Sequence, residues 1–164
     1  MRRVTRGLAA VVAVLFVAGI VAAAGGVGWL YWNRVEYAAA ASTSSQLEHL
    51  AAEQIPKVFG HDYQTVERSL LDACNYLTSD YRREFEDRVN KDIIPQDRER
   101  QVVTQADVVG VGVLEAQRDS GSVMVYMNRT VTDKSRQPAY DGSRLKVDYQ
   151  KVDGRWLINY ITPI

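Results

Sequence analysis

The sequence of 164 residues has a single cysteine, only two histidines and four prolines, and carries no excess of charge of either sign. One cysteine, Cys74, excludes an intramolecular disulfide, so any folded domain must be held together by its apolar core. The histidines, His49 and His61, belong to no ligand cluster and to no H-x-x-x-H spacing, so no metal site is expected. Twenty basic against twenty acidic residues leave no basic surplus of the kind that draws a chain to nucleic acid. Glycine-rich phosphate loops are also missing. The nearest match, Gly110-Val111-Gly112, precedes a strand-like run rather than a helix.

One abundant feature is concentrated at the N-terminus. Residues 7–32 form an uncharged, mostly apolar run of 26 residues preceded by Arg2, Arg3 and Arg6. As a helix it would be about 39 Å long, more than the roughly 30 Å hydrocarbon core of a bilayer. The expected organisation is a cytoplasmic stub over 1–6, a transmembrane helix over 7–32, a tether or helical continuation over 33–44 and an extracytoplasmic domain over 45–164. The arginines before the run place the N-terminus in the cytoplasm, and Trp29, Tyr31 and Trp32 suit the outer interface. The alternative is a cleaved signal peptide ending near Ala22-Ala23-Ala24, but a signal core is typically 7–15 residues and this run is longer. Without the three arginines the exterior part carries 17 basic and 20 acidic residues, about −3, which attracts neither nucleic acid nor an anionic lipid surface.

The first half of the expected domain reads as helical. Ser45 and Glu48 have capping-box spacing and lead into Leu47, Leu50, Ala51, Ile55 and Val58, with Pro56 and Gly60 as stops. Asp62 or Thr65 can cap a second helix to about Leu77, with Val66, Leu70, Cys74 and Leu77 on one side. Thr78-Ser79-Asp80 caps a third, which carries Tyr81, Phe85 and Val89 inward, and Pro95 ends this part. Its outer face holds Arg82, Arg83, Glu84, Glu86, Asp87 and Arg88, a mixed charge run that reads as a solvated face rather than a docking surface.

Beyond Arg100 the period alternates. A first strand over 101–116 puts Val103, Val109, Val111 and Val113 on one side, with Gly110 and Gly112 marking a bend. A second strand covers 122–132, a polar loop surrounds Pro138 and Gly142, and a third strand covers 144–152. Asp153-Gly154 then makes a type I′ turn into the last strand. A two-residue loop pairs Tyr149 with Ile158, Val147 with Tyr160 and Lys151 with Trp156 on one face, and Asp148 with Asn159 and Gln150 with Leu157 on the other. The expectation is an α+β domain in which helices pack on a curved, four-stranded antiparallel sheet.

The segments His61-Asp62-Tyr63-Gln64-Thr65-Val66-Glu67, Leu77-Thr78-Ser79-Asp80-Tyr81-Arg82, Asp153-Gly154-Arg155-Trp156-Leu157 and Thr162-Pro163-Ile164, taken in order, resemble the Mce-associated membrane proteins of actinobacteria. The likeness runs over nearly the whole chain. It implies a cone-shaped domain of the nuclear-transport-factor-2-like or SnoaL-like type, held outside the plasma membrane as a non-catalytic accessory that stabilises an Mce lipid-import complex. Type IV secretion inner-membrane scaffold proteins share the anchor-plus-cone plan and form the alternative, as does a small apolar-ligand or lipid-binding cone.

Related cones include dehydratases and isomerases, and His61, Asp62, Tyr63 and Tyr81 are the residue types that acid–base chemistry uses. Here His61 and Asp62 fall in an interhelical turn, where Asp serves as a cap, while Tyr63 and Tyr81 fall at core-facing positions. No catalytic, cofactor-binding or metal-binding residue is therefore assigned. Asn128-Arg129-Thr130 matches a glycosylation sequon but falls within a strand.

Overall fold

The computed structural model describes residues 40–164, the compact unit Ala40–Ile164. The apolar run 7–32 lies outside the described residues. Among the described residues no helix is long and apolar enough to cross a membrane.

Helix α1 occupies residues 40–59. Thr43, Leu47, Ala51, Gln54, Ile55 and Val58 recur every three or four residues and are buried, which is the stripe expected of a helix lying on a core. The chain is already helical at residue 40, so Ser45 sits inside the helix and is not its cap. Pro56 does not end it either. The bond that proline removes falls on the carbonyl of Ala52, an exposed residue where water can replace it, and Gly60 N donates to Pro56 O at 2.8 Å to close the final turn.

A two-residue strand, β1 (His61–Asp62), leads to α2 (Val66–Ala73), which tightens into a 3-10 turn (Cys74–Tyr76). Val66, Leu70, Ala73, Cys74 and Leu77 are all buried, as their spacing requires. Cys74 Sγ donates to Leu70 O at 3.3 Å, and burial pushes its thiol above the ordinary range. Helix α3 (Ser79–Arg88) buries Tyr81 and Phe85, and the following π turn (Val89–Ile93) buries Val89. Pro95 does not stop the chain here. The wider π turn passes directly into α4 (Ile94–Arg100), where Pro95 occupies the first turn and needs no amide partner. Gln101 ends α4 in the left-handed conformation, with φ 54°.

The outer face of α3 is paired along itself: Arg82 with Glu86 at 2.6 Å, Arg88 with Glu84 at 2.7 Å, Lys91 with Asp87 at 2.6 Å, and Arg83 with Asp80. All are solvated pairs one helical turn apart and contribute little each.

Among the described residues the sheet has five strands rather than four, in the order β1-β2-β3-β4-β5, with every ladder antiparallel. The remaining strands are β2 (Val103–Ala116), β3 (Ser120–Thr132), β4 (Pro138–Val152) and β5 (Arg155–Pro163). The segment around Pro138 and Gly142 is not a loop, because Pro138 to Ser143 pair residue by residue with Thr132 to Met127.

Three bulges curl this sheet and alter two expected faces. In β2 the register skips Val109 and Leu114, which are extruded to 62% and 53% exposure. Thr104 and Ala106 therefore face inward before the first bulge, while Val111 and Val113 pack on the core after it; Val103 and Val109 do not share their side. In the last hairpin Tyr149 opposes Ile158, Gln150 opposes Leu157 and Lys151 opposes Trp156, but Asn159 is bulged out. Asp148 therefore meets Tyr160, and Val147 meets Ile161 rather than Tyr160. Ile161 takes the core position, whereas Tyr160 is 44% exposed with its ring 5.1 Å from Tyr81. The turn itself is as expected, with Asp153 at φ 50° and Gly154 at φ 79°.

The core lies between α1 to α4 and the inward residues Val123, Val125, Met127, Leu145, Val147, Tyr149, Trp156, Ile158 and Ile161. Trp156 Nε1 donates to Gln46 Oε1 at 3.1 Å, which fixes α1 against the final strand. Trp156→Ala should cost about 3–5 kcal/mol in urea unfolding of the full chain. A loss below about 1 kcal/mol would show that the ring is not part of the core.

Candidate functional site

The four acid–base residue types considered above do not converge on one point. Asp62 Oδ1 accepts from Gln64 N at 2.8 Å, an Asx turn that shapes the entry to α2. Tyr63 N donates to Val102 O at 2.9 Å, and the Tyr63 hydroxyl accepts from Gln64 Nε2 at 3.2 Å. Tyr81 lies on α3 against Tyr160, and burial raises its phenol above the ordinary range.

His61 is not a surface turn residue. It lies in β1 opposite Thr104, with Nε2 2.6 Å from Asp97 Oδ2, and the two side chains are only 11% and 12% exposed. Among the described residues neither His61 Nδ1 nor Asp97 Oδ2 has a hydrogen-bond partner, so the contact is a close apposition of the two side chains rather than an aligned hydrogen bond. Asp97 stands 36 positions away on α4, and no spacing rule joins the two.

The pair works as a latch for α4. The backbone carbonyl of Asp97 accepts from Val102 N at 2.9 Å, so the residue holds β1 by its side chain and the approach to β2 by its backbone. Arg98 reaches Glu67 of α2 at 2.7 Å. Arg100 reaches Asp133 at 3.1 Å, and Lys134 N donates to Arg100 O at 3.0 Å. Hydrogen bonds from Ser135, with Arg100 added, hold the Asp133 carboxyl at about 2. Among the described residues no group of three or more His, Cys, Asp or Glu side chains could hold a metal ion.

A cavity of about 450 Å³ lies apart from this latch. Glu115, Gln117, Asp119, Lys146, Asp148 and Asn159 are among the residues lining it, and Lys146 Nζ sits 3.0 Å from Asp148 Oδ1. Its size is that of a ligand site, and its side chains are mostly polar, with Tyr149 as the one large apolar ring among them. The interior beneath the sheet is occupied instead by Leu47, Ile55, Leu70, Met127, Tyr149 and Ile158, all fully buried. The Tyr149 hydroxyl is buried without a hydrogen-bond partner among the described residues, and burial pushes its phenol far above the ordinary range.

No protein-family profile matches the chain. An uncharacterized protein of Mycobacterium tuberculosis, Rv1362c, is 26% identical over 143 residues, covering 85% of this chain and 65% of its own length. The chain thus spans a little under two thirds of the length of that relative. Rv1973 of the same organism, named an outer membrane protein, is 24% identical over 139 residues, covering 85% of this chain and 87% of its own. Among solved structures, an IcmL-like type IV secretion system protein from Legionella pneumophila superposes with a TM-score of 0.56 at 16% identity, over 73% of this chain and 92% of that one. CagV, a VirB8 homolog of the type IV secretion system of Helicobacter pylori, gives 0.56 at 8% identity, over 71% and 95%. At these identities the likeness establishes a shared α+β fold.

Two outcomes test the site geometry. A double-mutant cycle of His61→Asn and Asp97→Asn in urea should show a coupling of about 1–2 kcal/mol; additive effects would mean that the two side chains act independently. Tyr149→Phe removes a buried hydroxyl that has no partner among the described residues, so it should leave stability unchanged or raise it by up to about 1 kcal/mol. A clear loss in the melting temperature would reveal a partner for that oxygen.

Proposed function

We propose that the chain is a non-catalytic scaffold subunit of a cell-envelope assembly, anchored by residues 7–32 with its α+β domain outside the plasma membrane. The observation that carries this reading is the filled interior. Leu47, Tyr149 and Ile158 occupy the space that a lipid or a substrate would need, and the acid–base residue types are dispersed among an Asx turn, a latch and a ring contact. The fold shared with type IV secretion proteins supports an assembly role of that general class.

The resemblance carried by Leu77-Thr78-Ser79-Asp80-Tyr81-Arg82 and Asp153-Gly154-Arg155-Trp156-Leu157 favours a narrower partner within the same class, an Mce lipid-import complex. Both readings have the domain stabilise its neighbours by binding them, so its loss should lower their abundance.

Purifying the full chain from native membranes and identifying what comes with it by mass spectrometry tests the proposal. Envelope transport subunits should co-purify, and their levels should fall when the chain is deleted. Asp62→Asn and Tyr81→Phe should leave both results unchanged. Loss of the cellular role in either variant, with the protein folded and at normal level, would favour chemistry over scaffolding.

A further inference from the structure

The two edges of the sheet are finished differently. On the β5 side, Thr78 N donates to Ile158 O at 2.9 Å and Leu77 bridges to Ile158, so the chain itself covers the middle of that edge. On the β2 side, β1 pairs only with Val103 and Thr104. From Gln105 to Ala116 the outer edge of β2 faces no strand among the described residues, and its outward amides and carbonyls have no backbone partner there. Such a row of unpaired groups is a template for another strand, which proteins ordinarily blunt with lysine or proline. Residues 108–114, Val-Val-Gly-Val-Gly-Val-Leu, contain neither, nor any charge.

The bulges divide this edge into a regular window of four residues, 110–113, between two extruded apolar side chains, Val109 and Leu114. A side chain at Gly112 would meet nothing within 4 Å, so that face of the window is open. Asp107 and Glu115, both exposed, stand at the two ends of the apolar run and are the only ionisable residues of β2. Asp107 has no ion pair among the described residues, and Glu115 is bonded only to the neutral Gln117 amide.

We infer that the outer edge of β2 is a docking edge for an extended segment of a partner protein, with apolar residues at its centre and a cationic residue at each end. Main-chain bonds to the window would hold the strand, Val109 and Leu114 would grip its apolar side chains, and Asp107 and Glu115 would select its ends. A second copy of this chain fits poorly. Pairing the run 108–114 with itself about a two-fold axis at Val111 sets Asp107 opposite Glu115 twice, like charge against like. This partner chemistry takes its biological sense from the scaffold reading, yet the two fail separately. A scaffold that binds through another surface would still retain its subunits while binding no strand.

Fluorescence anisotropy on the purified full chain tests it with two synthetic peptides that share a Thr-Val-Thr-Val-Thr-Val centre, one ended by lysines and one by glutamates. The lysine-ended peptide should bind about tenfold more tightly. Its binding should slow amide exchange within residues 105–116. Replacing Asp107→Lys and Glu115→Lys together should reverse the preference, and the isosteric pair Asp107→Asn and Glu115→Gln should abolish it. The proposal is overturned if neither peptide binds, if the preference survives charge reversal, or if protection falls on another strand. It is also overturned if the full chain self-associates in a manner lost with Val109→Lys and Leu114→Lys.

Discussion

The seat of Leu47 on Gly121 is the contact on which the other features of the domain depend. A side chain at Gly121 would run into Leu47 Cδ1 and the carbonyl of Glu115, so only glycine lets α1 come this close to the turn between β2 and β3. With α1 held there, Gln46 reaches Trp156 in β5, and Ala51, Ile55 and Val58 line the length of the core. The sheet has to curl to keep β5 and β2 both against one helix. The bulges at Val109, Leu114 and Asn159 supply that curvature, since each adds a residue to one strand and twists it locally.

Sequence pattern was informative where structure follows from neighbours. The spacing of Val66, Leu70, Cys74 and Leu77, that of Tyr81, Phe85 and Val89, and the Asp153-Gly154 turn all depend on local periodicity or local φ preference, and each took the expected form. Features that depend on distant partners were not legible. Pro56 and Pro95 stop an isolated helix, but core burial on either side and the π turn before Pro95 carry the helices past them. Nothing around Asn159 announces a bulge, which exists because Thr78 Oγ1 donates to Asn159 Oδ1 at 3.3 Å and Ile161 needs the core position. For the same reason the pairing of His61 with Asp97 was missed. Each residue alone looks like an ordinary turn or helix residue, and only the tertiary fold brings them together.

The polar atoms left without partners separate a structural from a chemical reading of this domain. Catalytic sites tend to gather perturbed, convergent groups at an open cleft. Here His61 and Gln54, whose Nδ1 and Oε1 have no partner among the described residues, do not line the polar cavity, nor does Asp97; Tyr149 does line it, with its hydroxyl turned into the core. The cavity is lined mostly by polar and charged side chains, and the interior beneath the sheet is filled by apolar ones. In the proposed scaffold role, a domain built this way would make its contacts on its outside.

Most charged residues on α3 are already paired with one another, so a partner docking there would have to displace local ion pairs for little gain. The sheet is different, because backbone groups at an edge are satisfied only by water and gain order when a strand is added. Covering one edge at Leu77 and Thr78 directs any such addition to the other, where β1 is too short to seal β2. A longer β1 would hide the window. The chain instead turns away after Asp62, because the Asx turn to Gln64 starts α2 and leaves the latch of His61 and Asp97 to hold the two-residue strand in place. The same local geometry that buries His61 therefore leaves the edge of β2 without a covering strand among the described residues.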